Sequence, residues 1–263
     1  MRRREFLLSA LAGGFAPAAL PQQRDGPPEY TAHGSLVIER AISGKPHAGK
    51  VLAAIQPHSD DIPLFAAGTV AKLLNEGYTG HLIRVTNDDM AGPGTVGTTV
   101  LANEKDNDEV ARVLGLKSVF NLNYPNHNMD GTSRPELRSR FIFLFRLLKI
   151  DTVISYDPWS HYEENPDHYV TAACVEAACW MAGARKDYPE HFAAGLKPHS
   201  VGEKYYFARF DQRVNRVVDI SSTVEKKIDT NLVNVAQGPA GIRGSKLRSV
   251  LAGRGQRLPL LGS

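Results

Sequence analysis

The sequence predicts an α/β protein of one domain, built on an open, mostly parallel sheet with helices on both faces. Three observations predict it. From about residue 50, short β-branched runs alternate with longer stretches of helical pattern, and those stretches stop at Gly77, Gly115 and Gly183. Strands separated by helices of that length can pair only in parallel through crossovers. The chain has 263 residues and is 42% hydrophobic, enough to bury one large core.

Taken in order, "KVLAAIQ" (50–56) reads as a buried strand, "PLFAAGTVAKLLNEG" (63–77) as a helix and "GHLIRVTN" (80–87) as the next strand. "TVLANEKDNDEVARVLG" (99–115) is helical, and "KSVFNLN" (117–123) is the third strand. "RPELRSRFIFLFRLLKI" (134–150) has one strongly apolar face and a proline near its start, as a helix tolerates, and leads into the strand "DTVISY" (151–156). "DHYVTAACVEAACWMAG" (167–183) is a further helix, while "EKYYFARF" and "NRVVDIS" supply late strands. Cys174 and Cys179 fall about 140° apart around the 167–183 helix, a poor geometry for a bridge, so both are expected to pack rather than pair.

The N-terminus reads differently. "MRRREFLLSALAGGFAPAAL" joins a basic cluster, a short apolar run and a small-residue Ala16-Pro17-Ala18 site, the pattern of an export signal over 1–19. Arg3-Arg4 before Phe6-Leu7-Leu8 gives it a twin-arginine character and predicts a periplasmic or extracellular location. Residues 20–47 form a lead segment, and 238–263 a Gly/basic tail. Cleavage near Ala18 removes three arginines and one glutamate, taking the net charge from +3 to +1. No basic stripe is left for nucleic acid, and no later apolar run is long enough for a permanent membrane span.

In open parallel sheets chemistry sits beyond the carboxyl ends of the strands. "PHSDD" directly follows the first strand and "DPWSHYEENPDH" the fourth, so two polar clusters meet at one rim. A zinc hydrolase needs nitrogen or carboxylate ligands on a rigid frame, an open position for water, and a base that is not a ligand. His58 and Asp61, three apart, can point to one side while Asp60 points elsewhere; His168, presented by the turn at Pro166-Asp167, is the best third ligand. The plainer alternatives are that Asp60 or Asp61 caps the helix near Pro63, and that His168 is a surface histidine at a helix start.

These residues resemble the PIG-L/LmbE-like family of metal-dependent N-acetylglucosaminyl deacetylases, whose motifs read approximately P/A-H-P-D-D-E and H-P-D-H. "VTND", "EVARVLGL", "NYPNHNMD" and "VVDISSTVEKKID" follow the same layout, so the resemblance spans about 48–237. It implies a Rossmann-like sheet, a divalent metal, zinc foremost, on His58, Asp61 and His168, and Asp60 as the base that receives a proton from water. The implied substrate is a small molecule or glycan carrying an acylated amine.

The sequence departs from the pattern at Ser59 (proline in the motif), Ile62 (glutamate) and Asn165 (histidine), and Asn126 stands where the family often has an acid. An amide can donate a hydrogen bond to an oxyanion but has no proton to transfer. Asp60 is therefore expected to act as base and then acid, Asn165 as electrostatic helper, and His161 as the reserve acid. Tyr156, Trp159 and Tyr162 could form a wall for a sugar ring or simply pack a loop. Asp88 and Asp89 could bind substrate hydroxyls or shape the turn before Gly92.

Two other classes compete. Residues 92–97, "GPGTVG", spell the G-x-G-x-x-G of a nucleotide-binding oxidoreductase, but they stand several residues beyond the strand, and the next strand ends without a carboxylate for a ribose. A non-catalytic exported carbohydrate-binding protein is the other, with Ile62 and Asn165 marking lost turnover. Ser160 abuts His161, yet there is no G-x-S-x-G elbow for a serine hydrolase.

Overall fold

A computed structural model describes residues 36–210, 213–237 and 250–256. The expected export signal (1–19), the first part of the lead segment and most of the C-terminal tail lie outside the described residues. The elements are β1 (Val37–Glu39), β2 (Val51–Gln56), α1 (Ala67–Asn75), β3 (Thr79–Thr86), α2 (Val96–Leu114), β4 (Ser118–Tyr124), α3 (Arg134–Leu148), β5 (Thr152–Tyr156), α4 (Pro166–Met181), α5 (Pro189–Ala193), β6 (Glu203–Phe207), β7 (Arg216–Val218) and α6 (Val224–Val233).

Five of the strands make one parallel sheet in the order β4-β3-β2-β5-β6. The chain winds outward from β2 through β3 to β4, then crosses back to β5 and β6 on the other side. The switch point therefore lies between β2 and β5, where an open sheet leaves a crevice beyond its strand ends. β2 is apolar along its length because both its faces are covered. Leu52 and Ala54 pack with α1 and α2, while Ala53 and Ile55 face the opposite cluster, where Phe141, Phe145, Val170 and Cys174 come from α3 and α4. Cys174 and Cys179 are buried free thiols. No helix among the described residues is long and apolar enough to cross a membrane.

Several details differ from the sequence expectation, each for a local reason. The helix expected over 63–77 opens with a π-helical turn, Ile62–Ala66, before α1 begins. The helix expected from 99 starts at Val96, because Thr95 and Thr98 cap each other's backbone N–H in a reciprocal box. The glycine-rich run thus ends in a helix cap, and Gly92, at φ +149°, packs so closely on the 236 carbonyl that a Cβ would stand 3.1 Å from it. The lead segment contains β1, which pairs in parallel with β7 as a separate two-stranded sheet. α5 and α6 were not anticipated as helices. α6 packs on α1 and α2.

Candidate active site

The loop after β2 turns back on itself. Asp61 Oδ2 accepts the backbone N–H of His58 at 2.8 Å, and Asp61 Oδ1 accepts the Tyr156 hydroxyl, at the end of β5, at 2.7 Å. Those two bonds fix the carboxylate between the strand ends. Neither aspartate caps the following turn through its side chain; Asp61 occupies the cap position and makes no such bond. At the other strand end, Asn165 caps α4 by accepting the N–H of Asp167 at 3.0 Å, with Pro166 in the first turn, and this start presents His168 inward.

His58, Asp61 and His168, all buried, bring one donor atom each within 4.8 Å of one another. His58 Nδ1 lies 3.1 Å from His168 Nε2. Asp61 Oδ2 is 3.6 Å from the first nitrogen, and Oδ1 is 3.6 Å from the second. Ligand bonds of about 2.0–2.1 Å to a tetrahedral zinc ion put donors roughly 3.3 Å apart, so the donor set and its spacing fit such an ion.

The far side of each imidazole faces a carboxylate. His58 Nε2 donates to Asp167 Oδ2 at 3.0 Å, and His168 Nδ1 stands 3.2 Å from Glu163 Oε1. Protons on those far nitrogens leave the near nitrogens as facing lone pairs, an arrangement that calls for a positive charge between them. Burial pulls the His58 ring down, but Asp167 and Asp61 outweigh it and hold its pKa well above the ordinary value. His168 stays below the ordinary value, chiefly through burial. Glu163 is itself held by Arg209, whose Nε donates at 3.0 Å and whose Nη2 bridges to Glu164 at 3.1 Å.

A cavity of about 320 Å3 opens over the three donors, lined also by Asp60, Asn126, His127, Asn165, Arg209 and Gln237. Burial, reinforced by the neighbouring Asp61 charge, pushes the Asp60 carboxyl up to about 7, near the value that suits a general base at neutral pH. Because the Asn165 oxygen is committed to the helix cap, its Nδ2 is the end that faces the donors, 3.3 Å from His168 Nε2. The Asn126 side-chain oxygen is buried without a hydrogen-bond partner among the described residues.

Five expected residues lie elsewhere. His161, Trp159 and Tyr162 do not line the cavity. His161 is exposed with its ring near Tyr162, which is 86% exposed; Trp159 packs edge-on against Tyr206 in a separate depression. The turn after β5 carries these rings outward, whereas Tyr156, still in the strand, stacks on His168 with centroids 4.2 Å apart. Asp88 is completely buried and bonded to the Ser59 N–H and to Arg84 Nη1, both at 3.1 Å. It braces the β2 loop and has no face toward substrate. Asp89 accepts the Asn126 N–H at 3.0 Å, so it shapes the β4 loop.

Two of the motif departures, Ser59 and Ile62, have structural explanations. The Ser59 hydroxyl donates to Asn103 at 2.9 Å and accepts from Gln237 at 2.9 Å, tying the loop to α2 and to the segment after α6. Ile62 is fully buried in the apolar cluster under α1. Sequence reasoning missed Asp167, Glu163 and Arg209 as supports, and His127 and Gln237 as cavity residues. Only Asp167 had a local signal, its place inside "NPDH".

The family model described as PIG-L, GlcNAc-PI de-N-acetylase, matches residues 53–179. A curated relative, diacetylchitobiose deacetylase of Thermococcus kodakarensis, is 27% identical over 199 residues, covering 73% of this chain and 72% of its own. Among solved structures, N,N'-diacetylchitobiose deacetylase from Pyrococcus horikoshii, complexed with its inhibitor MPG, superposes with a TM-score of 0.66 at 26% identity over 77% of each chain. The 4-carboxy-2-hydroxymuconate hydratase GalB from Pseudomonas putida KT2440 shares the fold, with a TM-score of 0.60 at 19% identity over 72% of this chain and 80% of its own.

Proposed function

Because the chain belongs to the PIG-L/LmbE-like family of N-acetyl deacetylases, we propose that it is a zinc-dependent hydrolase that removes an acetyl group from the amide nitrogen of an amino sugar of the diacetylchitobiose type. The observation that carries this reading is the meeting of His58, Asp61 and His168 under a cavity that also holds a carboxylate outside the trio, Asp60. These three residues would hold the ion, which when bound polarises a carbonyl and acidifies water.

The remaining chemistry belongs to the chain. Asp60 takes the proton of the attacking water. The Asn165 amide, locked by its cap, offers an N–H to the carbonyl oxygen as negative charge develops there. Asn126 offers its unpartnered oxygen to a substrate hydroxyl or amide N–H. Tyr156 holds Asp61, and Asp167 and Glu163 fix the planes of the two imidazoles. The twin-arginine-type leader places this activity outside the cytoplasm in the same proposal.

The test is acetate release from N-acetylglucosamine and its disaccharide by zinc-loaded protein. No acetate from any acetylated amino sugar, with the site measured as filled, overturns the enzyme and leaves a carbohydrate-binding role. Glu163→Gln is expected to weaken zinc affinity by about 10–100-fold, the usual cost of losing a partner behind a ligand. Titration with zinc in a competing chelator reads this directly, and an unchanged affinity would remove Glu163 from the site.

A further inference from the structure

Hydrolysis of an amide leaves one requirement that Asp60 and Asn165 do not obviously share out: the departing amine must take up a proton as the C–N bond breaks. The cavity limits the candidates. His58, Asp61 and His168 converge on one another as ligands. Tyr156 is buried and donates its hydroxyl proton to Asp61. Arg209 does not release a proton, and the Asn165 amide has none to give. Two cavity-lining residues remain: Asp60, which would have to hand back the proton it takes from water, and His127, which would supply a separate one.

The backbone of His127 takes the left-handed conformation, which is uncommon outside glycine although histidine enters it more readily than most residues. Its φ is +55°, and a non-glycine residue is kept there only when the surroundings dictate it. Here they do. Its N–H donates to Asp167 Oδ2 at 2.7 Å, and the N–H of Met129 reaches Asp167 Oδ1 at 3.3 Å. On the other side, Asn126 N–H is held by Asp89. Asp167 is the carboxylate that also orients His58. One side chain therefore ties the left-handed turn to the donor trio, and the loop after β4 is fixed where His127 meets the cavity.

We propose that His127 is a catalytic residue of this chain, the acid that protonates the leaving amine. This rests on the deacetylase reading above. The water oxygen forms its bond to the carbonyl carbon as Asp60 receives the water proton. The C–N bond then breaks, its electron pair staying on nitrogen and capturing the proton of the His127 imidazolium. Acetic acid and amine leave, the acid giving up its proton to become acetate; Asp60 returns its proton to solvent, and the imidazole is reprotonated from solvent.

The experiment compares wild type, His127→Ala and His127→Gln, all zinc-loaded, on an N-acetylated amino sugar, with and without added imidazole. Expected is a fall in kcat of about 10²–10⁴-fold in both variants, with KM and zinc content nearly unchanged, and a recovery of about tenfold or more by imidazole in His127→Ala alone. A structural role for the turn would not produce that rescue. Values of kcat within about fivefold of wild type, or a loss that imidazole leaves untouched, overturn the proposal. An inactive wild type sinks the deacetylase reading instead, so the two failures are told apart before any variant is compared.

Discussion

Asp60→Asn is expected to lower kcat for acetate release by about 10²–10⁴-fold while leaving the zinc content of the protein intact. The two halves of this expectation come from different bonds. Asp61 Oδ1 and Oδ2 are fixed by Tyr156 and by the His58 backbone, and none of the contacts that bring His58, Asp61 and His168 together passes through the Asp60 side chain. Asparagine matches aspartate in size but cannot accept a proton from water, so the substitution removes the base without emptying the cavity. Its isosteric shape also keeps the Asp60 carbonyl, which accepts the Leu64 N–H at 3.0 Å at the start of the π-helical turn. Metal analysis by atomic absorption beside an acetate assay checks both halves. Loss of zinc together with activity would make Asp60 a ligand or a folding residue; retained activity would move the base elsewhere.

Lys72→Ala is expected to destabilise the fold by about 3–5 kcal/mol, the cost of stranding buried charges by removing one partner. Lys72 is 1% exposed, and its ammonium is bonded to Glu39 Oε1 at 2.8 Å and Glu76 Oε1 at 2.9 Å. Burial alone would lower its pKa; the two carboxylates raise it above the ordinary lysine value. For Glu39 burial pulls upward, and Lys72, Tyr205 and Arg216 together hold its pKa below 4.5. The sign for Glu39 follows: its stabilisation is present above the unfolded value near 4.5 and is lost as pH falls through the lower folded value. Urea unfolding at pH 7 gives the size, and the same measurement toward pH 3 gives the sign, since the variant should show a weaker acid dependence. A loss below about 1 kcal/mol would mean that water reaches the two glutamates and the cluster behaves as a surface pair.

Lys72 also shows where reading from sequence stops. It lies in a helix that the pattern predicts, one turn before Glu76, and an i,i+4 pair at a helix end is ordinarily a solvated contact. It is buried because β1, inside a segment read only as a lead, brings Glu39 across the end of α1. β1 in turn is placed by β7, 179 residues away in the chain. No local periodicity carries that pairing.

The same division runs through the site. The sequence by itself determined the open parallel sheet, the order of its main strands and helices, and the two strand ends at which His58, Asp60, Asp61 and His168 are found. Those follow from apolar period, helix stops and loop position, which are short-range properties of the chain. Only the tertiary structure decided which groups face the cavity. It turned Trp159, His161 and Tyr162 outward, sealed Asp88 beneath Ser59 and Arg84, and set Asp167 and Glu163 behind the two imidazoles. Side-chain direction and partner choice in loops depend on contacts between distant segments, and a sequence records them only through the fold that brings those segments together.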